Sequence, residues 1–266
     1  MPAVQIPRLK AQISQLIWRF TRPEEFRAEL KQLFELYADR TYRPGQTVQA
    51  LKHAPAYHVP ILVMRQLELD LAAPCQENPE AALSVADSIW AEEYLELRQV
   101  AAFLLGQVPL DPPERILERL RSWCQPAENR LVLEAALQSG SYRLRKEQPA
   151  RWLALAGEWL WDQSSPYRSM GLKALLPLVK DRQNQNLPPI FQMIGPLVQS
   201  PTTALQSDLA EVLEELAKRS PVETAYFLRQ ILSLSQHPET LRLVRRTLPA
   251  LTPQAQASLR SAMKNT

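Results

Sequence analysis

Proline placement constrains this chain more than any other feature. The sequence holds 23 prolines against 6 glycines, and most of the prolines follow a polar residue and precede an apolar run. Asn78-Pro79-Glu80, Asp111-Pro112-Pro113-Glu114, Ser165-Pro166, Ser200-Pro201, Ser220-Pro221, His237-Pro238-Glu239 and Thr252-Pro253 share this form. Proline at the first helical position sacrifices nothing, because its missing N–H would have no intrahelical partner there. The polar residue before it supplies the cap. Each such site is therefore read as a helix start, and the recurrence of starts predicts stacked helix pairs.

The windows between the starts carry the i, i+3, i+4, i+7 stripe of amphipathic helices. Ile190, Met193, Ile194, Leu197 and Val198 form one stripe; Leu209, Val212, Leu213, Leu216 and Ala217 a second; Leu172, Leu175, Leu176 and Val179 a third. No region alternates with the period of two that a strand requires. The expected pairs are residues 79–90 with 93–106, 112–124 with 127–138, 149–162 with 166–180, 188–199 with 203–219, and 222–234 with 238–250. Second helices begin roughly every 34–39 residues, between the tetratricopeptide and HEAT ranges. The tetratricopeptide pattern of Trp, Leu, Gly and Tyr is absent, so HEAT-like pairing fits better. The expected architecture is an all-α, HEAT-like α-solenoid in a single domain, 1–266. Residues 1–58 hold capping helices near 5–20 and 23–38, residues 59–250 the stacked pairs, and 251–266 a C-terminal helix. Tyr42-Arg43-Pro44-Gly45-Gln46 reads as a loop. Such a stack presents a concave face.

Composition narrows the function classes. At 45% hydrophobic and 22% charged residues the chain has the balance of a folded protein rather than a disordered one. No apolar run reaches the roughly 18–20 residues of a membrane span, and Met1 to Lys10 has no signal-peptide pattern. Cys75 and Cys124 form no CxxC and fit a reduced, cytoplasmic protein. His53, His58 and His237 are too few for a histidine-rich metal site. Asp87 with Glu92 and Glu93 has no metal-selecting spacing, and there is no P-loop, GxGxxG, GxSxG or HExxH. Neither a cofactor nor a metal is expected.

Charge is uneven. Residues 1–139 carry 15 Lys and Arg against 18 Asp and Glu, whereas residues 140–266 carry 16 against 10. The basic half permits a polyanion partner, although a solvated arginine-rich surface gives the same count. Arg143, Arg145 and Lys146, beside Tyr142 and ahead of Pro149, are either phosphate contacts or simply a solvated loop. Arg242 and Arg246 lie at i, i+4, where they track a nucleic-acid backbone or cover apolar surface with their stems. Trp152 and Trp159 share a helical stripe with Leu155 and Ala156. Trp161 points about 200° from Trp159 and is either exposed or covered by the next repeat.

Several segments carry a family resemblance. Ile194-Gly195-Pro196-Leu197 runs through Leu205-Gln206 to Val212-Leu213-Glu214-Glu215-Leu216-Ala217-Lys218-Arg219-Ser220-Pro221, and Tyr167-Arg168 precedes Leu172. Leu95-Glu96-Leu97-Arg98 before Ala101-Ala102 is a further echo. Together they resemble the HEAT-like DNA alkylation repair family, the AlkD-type DNA glycosylases, over roughly residues 60–250. The resemblance implies a basic concave groove for duplex DNA and excision of cationic N-alkylated purines. It implies aromatic faces and a carboxylate that stabilise positive charge, and an arginine on a phosphate.

On that resemblance the Trp–Asp junction of the family matches Ser122-Trp123-Cys124 through Glu128. Glu128 then stands for the acid, with Trp123 beside it and Cys124 in place of the nearest aromatic. Arg168 matches the phosphate-binding arginine, and Lys173 on the same helix joins the DNA-binding candidates. The later tryptophan falls on Glu211, which shares a helical face with Asp208 and Glu215. Each match has a plainer alternative. Glu128 suits the start of a helix after Pro126, and Trp123 suits a packed core; Arg168 sits in a first turn, where a cation opposes the helix dipole, which leaves a ligand role and a plain surface role both open. The leading expectation is a DNA-binding relative with part of the catalytic set missing. The competing one is a protein–protein scaffold that receives a partner on its concave face.

Overall fold

The computed structural model describes residues 4–39, 54–235 and 237–264. The loop expected at Tyr42 to Gln46, and His53, lie outside these residues. The described chain is all-α. In order the helices are α1 (Ile6–Ile17), α2 (Pro23–Tyr37), α3 (Ile61–Glu77), α4 (Pro79–Trp90), α5 (Leu95–Gln107), α6 (Glu114–Trp123), α7 (Arg130–Ala135) and α8 (Tyr142–Glu147). They continue as α9 (Pro149–Leu160), α10 (Ser165–Lys180), α11 (Pro188–Gln199), α12 (Gln206–Arg219), α13 (Pro221–Leu234), α14 (Pro238–Thr247) and α15 (Pro253–Lys264). These divide into two compact units, residues 1–149 and 150–266.

Proline marks many of the starts. It occupies one of the first two helical positions in α1, α2, α4, α10, α11, α13 and α14. Asn78 caps α4 by accepting the Ala81 N–H at 3.1 Å, and His237 caps α14 through Nδ1, which accepts the Glu239 N–H at 3.2 Å. Two expected starts differ. Pro113 is the N-cap of α6, one residue before the helix, and the Asp111–Pro112 peptide is cis. Pro201 precedes a 3₁₀ turn, Thr203–Leu205, that leads into α12. Three further prolines close helices rather than open them. Pro74, Pro177 and Pro196 sit in the last turns of α3, α10 and α11, and their carbonyls accept the N–H groups of Asn78, Asp181 and Ser200. There the missing proline N–H interrupts a helix that is already ending.

In the first unit α1, α3 and α5 pack in succession, and α2 packs on α4. Leu9, Ile13, Leu16, Phe26, Leu30 and Phe34 form its N-terminal core. α6 is tied to α4 by Arg115 on Glu80 and by Arg119 on Asp87 at 2.7 Å. In the second unit α10, α12 and α14 form one layer, and α11, α13 and α15 the other. The three expected stripes are buried here, except Met193, which is half-buried.

Two elements depart from the sequence reading. α3 has no counterpart among the expected pairs. The second is at residues 130–147, where α7 runs into a π-helical turn, Ala136–Gly140, and then into α8. The Arg143/Arg145/Lys146 segment is therefore helical, not a loop. α5 lies so close to the π turn that a Cβ on Gly106 would fall 1.9 Å from the Ser139 carbonyl oxygen. Only glycine fits there.

Candidate functional site

α4, α5, α6 and the link from α6 to α7 bring four side chains together. Trp90 closes α4 and Trp123 closes α6. Their rings stack at 4.2 Å between centroids with planes only 6° apart. Arg98, on the first turns of α5, holds its guanidinium carbon 5.4 Å from the centre of the Trp90 ring. Two rings 4.2 Å apart leave no room between them, so the guanidinium covers the opposite face of Trp90. Arg98 Nε donates to the Glu92 carbonyl at 2.6 Å, and a terminal nitrogen donates to Glu128 Oε1 at 2.6 Å. The same Glu128 oxygen accepts the Asn129 N–H at 3.1 Å.

The cluster is half-buried. Trp123 is only 5% exposed, whereas the Arg98 and Glu128 side chains keep 18% and 23% of their surface. Glu128 lies ahead of α7 rather than in its first turn, and Asn129 is the cap. Its carboxylate is therefore set by a cation and by the backbone N–H of the capping residue. Charge-assisted bonds of this length are strong and hold both partners in register. Cys124 is fully buried. Burial foremost, with the neighbouring Glu128 carboxylate second, pushes its thiol far above the ordinary range. A thiol in that state supplies neither a nucleophile nor an aromatic wall.

Glu96 and Arg98 of the family echo have separate duties. Glu96 is 5% exposed and accepts the backbone N–H groups of Tyr57, His58 and Val59 at 3.0, 2.6 and 3.4 Å. It fixes the segment leading into α3, in which His58 has φ +55°. Arg98 belongs to the cluster. Trp90 and Arg98 are the members that sequence reasoning missed. The signal was the echo itself, which placed Arg98 two residues after a buried carboxylate.

The basic candidates occupy varied settings. In the first unit Arg143 donates to the Gln107 carbonyl at 2.8 Å and pairs with Glu147 at 2.7 Å. Arg145 donates to Ser141 Oγ at 2.8 Å and to the Gln138 carbonyl at 2.6 Å. These arginines fasten α8 to α5 and to the π turn. In the second unit Arg168 Nε donates to the Asp162 carbonyl at 2.7 Å, just ahead of its own helix. Lys173 lies 4.0 Å from Asp208, whose carboxylate also accepts the Ser169 hydroxyl. Arg242 and Arg246 share an exposed face of α14, at 68% and 54% exposure, and pair with Glu239 and Glu214 at 2.5 and 3.1 Å. Of the expected acidic face, Asp208 faces Lys173 and Glu215 faces Lys218. Trp123 and Glu128 belong to the first unit, Arg168 and Lys173 to the second.

Asp87 and Glu92 are held by cations of neighbouring helices, Asp87 by Arg119 and Glu92 by Arg27 and Lys31. Among the described residues no group of three or more His, Cys, Asp or Glu side chains is placed to hold a metal ion. No described helix is long and apolar enough to cross a membrane.

Helices that pack in succession within each unit, with a Trp–Trp–Arg–Glu cluster in the first, define an all-α helical-repeat protein. Residues 7–264 match the family described as DNA alkylation repair enzyme, and the chain belongs to that family. No curated protein and no solved structure matches it.

Proposed function

We propose that this protein is a HEAT-like, DNA-binding member of the DNA alkylation repair family whose base-excision set is altered. Family membership over residues 7–264 carries the reading. Duplex DNA is the partner. Arg168, Lys173, Arg143, Arg145, Arg242 and Arg246 are the phosphate-binding residues, and each exchanges a present acceptor for a phosphate oxygen. The basic surplus of the second half and the exposure of Arg242 and Arg246 support this. Cys124 and Glu211 in place of aromatics, and the Arg98–Glu128 pair, support weak or absent excision. Any residual chemistry would be hydrolysis of the N-glycosidic bond of an alkylated purine, with Glu128 stabilising the developing cation and Trp123 behind it. No cofactor takes part. The buried free thiols Cys75 and Cys124 support a cytoplasmic location.

The test is binding of a fluorescent duplex across a salt series. Wild type is compared with Arg168→Ala, with Arg143→Ala/Arg145→Ala and with Arg242→Ala/Arg246→Ala. The expected affinity falls steeply with salt, and the log–log slope falls by about 1 for each phosphate that a variant no longer neutralises. Absence of binding at low salt would overturn the reading. Incubation with methylated duplex then measures base release. A protein partner is the second reading, favoured by Trp18. That residue is 86% exposed and, with Leu36 at 47%, lines a groove of about 830 Å³ between α1 and α2.

A further inference from the structure

α12 packs between α10 and α14, and it meets both through carboxylates. On one side Asp208 lies 4.0 Å from Lys173 Nζ and accepts the Ser169 hydroxyl, both of α10. On the other, Glu214 accepts Arg246 Nε of α14 at 3.1 Å. At about 3.6 residues per turn the two carboxylates point about 120° apart, and Glu211 falls midway between them. Glu215 completes the row and pairs with Lys218 of α12 itself. From Asp208 to Glu215 the row spans about 10 Å of helix axis, or about 3.5 Å per charge. A single strand of duplex DNA carries one charge per roughly 3.4 Å. Lys173 and Arg246 therefore already face an anion row with the charge density of a DNA strand, and both pairs stay partly exposed to water.

We propose that α12 is a built-in stand-in for a DNA strand, in which Asp208 and Glu214 are autoinhibitory carboxylates that occupy Lys173 and Arg246 until a duplex displaces them. A paired cation contributes less to polyanion binding than a free one, because the carboxylate it leaves takes up a counterion again. The inference rests on Lys173 and Arg246 being phosphate-binding residues. It adds that α12, between them, sets how strongly they act.

The experiment takes two double variants, each removing two charges from α12, through the salt series with a fluorescent duplex. Asp208→Asn/Glu214→Gln frees Lys173 and Arg246 by replacing each carboxylate with an amide of the same shape. Glu211→Gln/Glu215→Gln thins the row by the same charge and frees neither. The first double is expected to bind about tenfold tighter than the second at low salt, with a log–log slope steeper than wild type by about 2, one for each cation released. The second is expected to keep the wild-type slope. A general charge effect would tighten both doubles alike. Wild type that binds duplex while the two doubles match in affinity and slope overturns the inference and leaves duplex binding standing. No binding by any of the three removes both. If the first double does not fold, Asp208→Asn and Glu214→Gln take the test singly, each with an expected slope change of about 1. Failure of both to fold would make the pairs structural and also overturns the inference.

Discussion

Each compact unit holds a pair of tryptophans that touch, and the two pairs are used differently. In the first unit Trp90 and Trp123 lie flat on one another, with Arg98 over Trp90 and paired to Glu128. In the second, Trp152 and Trp159 meet edge to face at 6.0 Å and 84°. Trp152 is fully buried, and its indole N–H donates to the Ala174 carbonyl at 3.0 Å. This second pair is held by a ring edge and a carbonyl rather than by a cation. The first pair carries a charge fixed over a ring face; the second is a closed pair with a satisfied N–H, which is packing. Trp161, 51% exposed, belongs to neither pair.

The largest expected effect breaks the packing pair. Trp152→Ala should cost about 3–5 kcal/mol in urea unfolding, the range for deleting a buried aromatic. Trp152→Phe removes the N–H bond to the Ala174 carbonyl together with part of the ring volume, for about 1–3 kcal/mol.

Next come the glycines near the second pair. A Cβ on Gly171 of α10 would lie 2.6 Å from the Leu160 backbone nitrogen of α9, whereas one on Gly195 would meet only the Phe227 ring at 3.8 Å. Gly171→Ala should therefore destabilise by about 1–3 kcal/mol. Gly195→Ala should stabilise by about 0.5–1 kcal/mol through helix propensity. The same substitution with opposite signs, read as thermal midpoints, checks whether α9 and α10 touch as described.

In the first unit, Glu128→Gln should cost about 1–2 kcal/mol, between the values for exposed and buried pairs. Arg242→Ala on the exposed face of α14 should change stability by less than about 0.5 kcal/mol, while duplex binding weakens. The smallest effect is chemical silence. Burial pushes the Cys75 thiol up to about 12, and Cys124 is also raised. Neither should react with a thiol reagent at pH 8 until the first unit opens, so labelling in rising urea reports that unit alone.

Much of the fold was legible in the sequence because proline and periodicity act locally. Pro79, Pro221 and Pro238 each begin a helix, and the stripes through Leu172, Ile190 and Leu209 each face the core. Pro74, Pro177 and Pro196 were not legible as helix ends, since a proline in a last turn looks locally like one before a first turn. The π turn and α8 were hidden for another reason. They exist where α5 presses on residue 139, more than thirty residues away in sequence.

The sequence by itself therefore determined the class, all-α with helix pairs at a repeating interval, and it pointed to Trp123, Glu128 and Arg168 through a family resemblance. It did not say which carbonyl or carboxylate each charged side chain would reach. Tertiary structure set those neighbours. Arg98 reaches Glu128 across thirty residues, and Arg143 reaches Gln107 across thirty-six. Periodicity is set by each residue's near neighbours in the chain, but the partner of a flexible charged side chain is set by whichever opposite charge or carbonyl the packing brings within about 3 Å.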